Sequence, residues 1–157
     1  MSRIISLFAL ALIVILAEPR PGQSADAGAD QIRAALMSWK DQFNARDARA
    51  VCELFAPDVV AIFQGQPVRN FDQLCGLLRS SLSDAKRGYH YDLKIQDVYA
   101  SGDLGAVRLT WRLKITDANG TQIETSVEPG IDIFQRQPDG KWRIARYISF
   151  AEKPASH

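Results

Sequence analysis

Histidine is nearly missing from this chain: His90 and His157 are the only two. With one internal imidazole and no serine or cysteine set to pair with it, the raw material for a nucleophile–base–orienter arrangement is lacking. A zinc or non-haem iron site needs clustered histidines and carboxylates, which the sequence does not offer. No Gly-rich phosphate-cradling loop is present either. The expectation is a protein without metal and without cofactor. Charge of one sign is also lacking, since 19 Lys and Arg stand against 18 Asp and Glu, giving a net charge of +1 with the basic residues scattered. A phosphate backbone or an anionic membrane calls for a concentrated basic surface, so nucleic acid is excluded as a partner class.

Cysteine is scarce as well. Cys52 and Cys75 match no zinc or redox spacing. In an oxidising compartment they can pair; otherwise each reads as a buried small hydrophobe. Long apolar runs are limited to Ile4–Ala17, which follows Arg3. A bilayer-spanning helix needs about 20 residues, so this run fits the core of a secretory signal better than an anchor. Gly22-x-Ser24 and Ala25-x-Ala27 offer small-residue cleavage sites. The expected division is a signal peptide over 1–24, a linker over 25–29, one domain over 30–152 and a tail over 153–157. Loss of the signal removes Arg3, Arg20 and Glu18 and leaves a neutral chain. The mature protein is then secreted or periplasmic, with no stable membrane insertion.

What is present is an ordinary globular composition, 46% hydrophobic and 24% charged over 157 residues, which fits one domain. Ile32, Leu36, Trp39 and Phe43 recur at helical period, predicting a first helix from an Asp30 cap to about Ala45. Asp47 caps a short second helix that Pro57 ends at Phe55-Ala56. Val59–Phe63 predicts a brief strand. Asn70-Phe71-Asp72-Gln73 has the form of a capping box opening a third helix, which carries Leu74, Leu77, Leu78 and Leu82. The period then changes to two. Tyr89, Tyr91, Leu93 and Ile95 alternate with polar residues, as do Val107, Leu109, Trp111, Leu113 and Ile115. Asn119-Gly120 and Asp139-Gly140 predict hairpin turns before strands Gln122–Gln135 and Trp142–Ala151. Three helices followed by antiparallel strands give an α+β domain in which a curved sheet closes over the helices as a cone and leaves a pocket at its open end.

Two stretches carry a family likeness. Phe43-Asn44-Ala45-Arg46-Asp47 with Leu54-Phe55-Ala56-Pro57-Asp58 resembles the helix–helix signature of the nuclear transport factor 2-like superfamily. Glu128-Pro129-Gly130-Ile131-Asp132-Ile133-Phe134, followed by Arg136-Gln137-Pro138-Asp139-Gly140-Lys141-Trp142-Arg143-Ile144, resembles the closing hairpin of its polyketide-cyclase-like (SnoaL-like), ketosteroid-isomerase-like branch. The likeness covers Asp30 to about Glu152 and implies the cone fold. It says little of activity, because one fold hosts many.

Ketosteroid isomerases use an Asp base and an oxyanion hole of a Tyr and a protonated Asp, a worked case of pKa tuning. Carried over by the resemblance, the base position falls on Phe63, which takes no proton. The oxyanion-hole Tyr falls on Trp39, and the oxyanion-hole Asp matches Asp132. Asp132 is therefore the best catalytic candidate, as a neutral carboxyl donating a hydrogen bond. The expected lining of an apolar ligand pocket is Trp39, Phe43, Phe63, Tyr91, Trp111, Asp132, Phe134 and Tyr147. Glu128 and Arg146 read as a rim ion pair. His90, opposite Tyr89 and Tyr91, reads as solvated.

Two readings stay open at this level. One is a cofactor-independent isomerase or cyclase on a hydrophobic carbonyl compound, and the other is a binding or assembly module for a small hydrophobic molecule. Phe63 at the base position favours the second. Apolar residues on both faces of the last two strands, with Ile131, Ile133, Trp142 and Ile144 on one and Phe134, Ala145 and Tyr147 on the other, predict a homodimer.

Overall fold

Three segments of the chain set the frame for everything else: a long first helix, a short second one, and a five-stranded sheet under both. The computed structural model describes residues 21–152, with side chains from Asp26 onward. The elements are α1 (Pro21–Asn44), a single 3-10 turn (Ala50–Cys52), β1 (Phe55–Phe63), α2 (Phe71–Ser83), β2 (Gly88–Ser101), β3 (Leu104–Thr116), β4 (Gln122–Arg136) and β5 (Trp142–Ser149). The class is α+β, as expected, with two α-helices rather than three. The sheet order is β1-β5-β4-β3-β2, with β1 parallel to β5 and the rest antiparallel. This curved sheet is not closed, because β1 and β2 remain edges.

Helix α1 is already formed at Pro21, ahead of the expected Asp30 cap, so 25–29 is helical and not a linker. Ala25, Ala27 and Ala29 are strong helix formers. The apolar stripe Ile32, Leu36, Trp39 and Phe43 is buried against the sheet. Gly105 on β3 permits this approach, since a Cβ there would collide with the Ile32 side chain. Residues 1–20, which hold most of the expected signal peptide, and the tail beyond Glu152 lie outside the described residues. Among the described residues no helix is long and apolar enough to cross a membrane.

The expected second helix shrinks to the 3-10 turn, with Asp47 accepting from the Arg49 and Ala50 amides at 3.0 Å each. The chain then extends, and β1 begins at Phe55 and runs through Pro57. A missing N–H is tolerable there because β1 is an edge strand with a register shift between Phe55 and Val60. The capping box of α2 forms as read: Asn70 accepts from the Gln73 amide, and Gln73 accepts from the Asn70 amide. Arg46, at φ 59°, ends α1 and sends its guanidinium to the carbonyls of Leu82 and Asp84 at the end of α2. A cation at that pole of the helix is favourable. The Asn44 amide clamps the Tyr91 backbone with bonds of 2.9 and 2.8 Å, fixing α1 on β2.

A disulfide joins Cys52 to Cys75 with Cα atoms 5.6 Å apart, tying the 3-10 turn to α2. In β2 the register shifts between Ile95 and Asp97, so the inward face continues as Val98 and Ala100. A second shift between Ile133 and Phe134 reorganises the β4–β5 pair. Trp142 and Ile144 consequently point inward with Phe134 and Tyr147, not outward with Ile131.

Candidate functional site

A narrow cleft of ≈ 40 Å³ opens between the helices and the concave face of the sheet. Trp39 of α1 and Leu74 and Leu78 of α2 wall it from one side; Tyr91 of β2, Trp111 of β3, and Ile144 and Tyr147 of β5 wall it from the other. Leu54, Phe55 and Phe63 complete the lining along β1. Trp39, Tyr91 and Trp111 form a three-ring cup with centroids 5.1–5.7 Å apart. Phe63 and Tyr147 meet at 4.9 Å. These rings converge because the α1 stripe meets the inward, alternate positions of β2 and β3 at the same level of the sheet.

A second cavity of ≈ 230 Å³ adjoins the cleft, and Phe63, Leu74, Leu78 and Tyr91 line both. Phe43, Tyr89, Leu77 and Leu113 extend its apolar wall, while Gln66, Arg69 and Ser81 supply its polar groups. The two spaces share this wall of four residues beside α2.

The buried polar groups lie on β4 and its neighbours. Asp132 is fully buried, and among the described residues neither carboxylate oxygen has a hydrogen-bond partner. Burial raises its pKa well above the usual carboxylate value, which favours the neutral carboxyl over the ionised one. Glu128, also on the inward face, is pushed up by burial although Ser126 Oγ donates to it at 2.6 Å. Burial raises Tyr91, with the Glu128 charge adding to it. Burial likewise raises Tyr147, whose neighbours Tyr91, Asp132 and Glu128 act in the same direction. Both phenols are therefore neutral donors.

Of the expected lining residues, Trp39, Phe63, Tyr91, Trp111 and Tyr147 come together at the cleft. Asp132, Phe43 and Phe134 do not line it: Phe43 lines the adjoining cavity, while Phe134 and Asp132 are sealed in the core. Asp132 does share the inward face with Phe134, but its cross-strand partner Tyr147 is the residue that reaches the cleft. Trp39 Nε1 donates to the Val51 carbonyl at 2.7 Å, so its indole N–H is already engaged within the fold. Arg146 approaches Asp58 at 3.9 Å instead of pairing with Glu128. His90 is exposed beside Asp92. Among the described residues no three His, Cys, Asp or Glu side chains gather into a set able to hold a metal ion.

Sequence reasoning missed Leu54, Leu74, Leu78 and Ile144, which read as ordinary core, and Arg69 entirely. A signal for Arg69 existed: it is the only cation between Arg49 and Arg79, immediately before the α2 cap.

Residues 36–145 match the family profile described as the SnoaL-like domain. The chain belongs to the SnoaL-like family. Solved structures place this SnoaL-like domain within the nuclear transport factor 2-like fold. A ketosteroid isomerase-like protein from Erwinia carotovora atroseptica superposes with a TM-score of 0.66 at 24% identity, over 80% of this chain and 97% of that one. A nuclear transport factor 2-like protein with a cystatin-like fold from Novosphingobium aromaticivorans gives 0.66 at 21% identity, over 81% and 83%. A Catenulispora acidiphila protein, in complex with S-DNPA, gives 0.64 at 12% identity, over 80% and 94%. At these identities the likeness carries the fold and not the activity. No curated protein sequence matches the chain.

Proposed function

We propose that this SnoaL-like domain is an exported, cofactor-free protein that binds a small hydrophobic molecule in the channel between α2 and the sheet. The supporting observation is the composition of the cleft wall, which among the described residues holds aromatic and aliphatic side chains and two phenols but no carboxylate, lysine or histidine. Proton-transfer chemistry needs a base within hydrogen-bond reach of the substrate. Neither Tyr91 nor Tyr147 supplies one, because burial keeps both protonated. Both can instead donate to an acceptor oxygen on a bound ligand, and such few convergent polar groups orient a ligand in an otherwise apolar site. The Catenulispora acidiphila protein, which has this fold, is in complex with S-DNPA.

The second reading is a cofactor-independent isomerase or cyclase acting on a hydrophobic carbonyl compound. One observation favours it: Asp132, whose pKa burial raises, stands across the strand pair from Tyr147, which lines the cleft. Binding takes precedence because the cleft lining offers no base to work with that donor.

The export part of the proposal rests on the short apolar run Ile4–Ala17 and the small residues after it. The protein is then secreted or periplasmic and acts as a homodimer. Native mass spectrometry of protein taken from the extracytoplasmic fraction tests the set together. The expected species is a dimer, cut between Gly22 and Gly28, carrying one small apolar mass per subunit. Full-length chain starting at Met1 in that fraction overturns export. Turnover of a carbonyl substrate by the purified protein overturns the preference for binding over catalysis.

A further inference from the structure

Arg69 enters its cavity from the short segment between β1 and α2, and its backbone is fixed there. Its N–H and C=O exchange hydrogen bonds with Ala61 of β1, each at 2.9 Å. The guanidinium lies 5.6 Å from the centre of the Phe63 ring, and among the described residues its one side-chain bond is a long contact to Gln66 at 3.4 Å. No carboxylate among the described residues comes within ion-pair distance of it. The rest of the cavity wall is apolar apart from Gln66, Ser81 and the Tyr hydroxyls, with no acidic side chain. A guanidinium stacked on an aromatic face with most of its fork unused is suited to bidentate binding of a carboxylate.

We infer that the ligand is a hydrophobic monocarboxylate, whose apolar body lies along Leu78 and Leu113 toward the aromatic cup while its carboxylate is held by Arg69. This rests on the proposal that the channel binds small hydrophobic molecules, and it names their chemical class. A neutral hydrophobe would leave the cation without a partner at the edge of an apolar wall. A cationic amphiphile would meet like charge at that edge. The 230 Å³ of the outer cavity suits a body of one or two rings rather than an extended polycycle.

Calorimetric titration with 2-naphthoate and with its uncharged counterpart 2-naphthamide, at low ionic strength, tests the assignment. Wild-type protein is expected to bind the carboxylate about tenfold more tightly, the scale of a charge-assisted hydrogen bond. Arg69→Gln should erase that preference by weakening the carboxylate far more than the amide, and Arg69→Lys should retain part of it. Rising salt should narrow the gap between the two ligands. Equal affinities in the wild type, or a preference that survives Arg69→Gln, overturn this inference while binding of the amide leaves the channel reading standing. Binding of neither compound overturns both.

Discussion

Asp132 on β4 and Tyr147 on β5 stand directly opposite one another in the antiparallel register, both turned toward the helices and both buried. The phenol lines the cleft and the carboxyl does not. Any contact between Asp132 and a ligand therefore runs through its neighbours, and its state is set by burial.

That burial has a measurable sign. The pKa of folded Asp132 lies well above the ordinary value of 3.8, so folding takes up a proton at pH values between the ordinary pKa and the raised one. For a carboxyl raised on folding, the unfolded chain binds fewer protons once the pH exceeds its ordinary pKa, and stability falls as pH rises. Glu128 acts in the same direction. Urea unfolding between pH 4 and pH 8, a range of about four units around these groups, should show declining stability in the wild type. Asp132→Asn should flatten that decline and leave the variant relatively more stable at the alkaline end. Parallel curves would mean an Asp132 that ionises freely in the folded protein.

The Cys52–Cys75 bridge ties the 3-10 turn to α2, whose Leu74 and Leu78 wall the cleft. The two cysteines are 23 residues apart in sequence. Closing a loop of that size in the unfolded chain stabilises the native state by about 3 kcal/mol. Cys52→Ala/Cys75→Ala should lower unfolding stability by that order while the far-ultraviolet circular dichroism stays native. An unchanged urea midpoint on removing both cysteines would contradict the bridge.

Ile131 and Ile148 face each other across β4 and β5 on the outer side of the sheet, 48% and 36% exposed. Tyr99 and Leu104 add exposed apolar surface near the turn joining β2 and β3. If a second copy covers this face, Ile131→Glu should convert the homodimer to monomer, because an unpaired charge at the centre of such a contact is costly. Light scattering at micromolar concentration measures this, and a monomeric wild type counts against the dimer.

Much of this fold is written in local signals. The α1 stripe, the capping box at Asn70 and Gln73, and the turns at Asn119-Gly120 and Asp139-Gly140 each depend on neighbours within a few residues. Features set by distant partners are not legible in that way. β1 extends back through Pro57 only because β5 lies beside it in parallel. The register shift at Ile133/Phe134 turns Trp142 and Ile144 inward against the alternation expected for β5. The site divides along the same line. Five aromatic lining residues follow from apolar periodicity and resemblance, whereas the exclusion of Asp132 from the lining depends on the helices above it. Arg69 gains its place from the isolated bridge to Ala61, a contact that no periodicity announces.

The central claim is that the channel under α2 receives a small hydrophobic molecule. Trp39 and Trp111 line its inner end, so tryptophan emission during titration with 2-naphthamide reports on it directly. Leu78 walls both the cleft and the outer cavity, and Leu78→Phe should crowd both. The account predicts a saturable change in emission for the wild type and affinity weaker by about tenfold, or about 1.4 kcal/mol, in Leu78→Phe. No saturable change in the wild type, or identical curves for the two proteins, would contradict it.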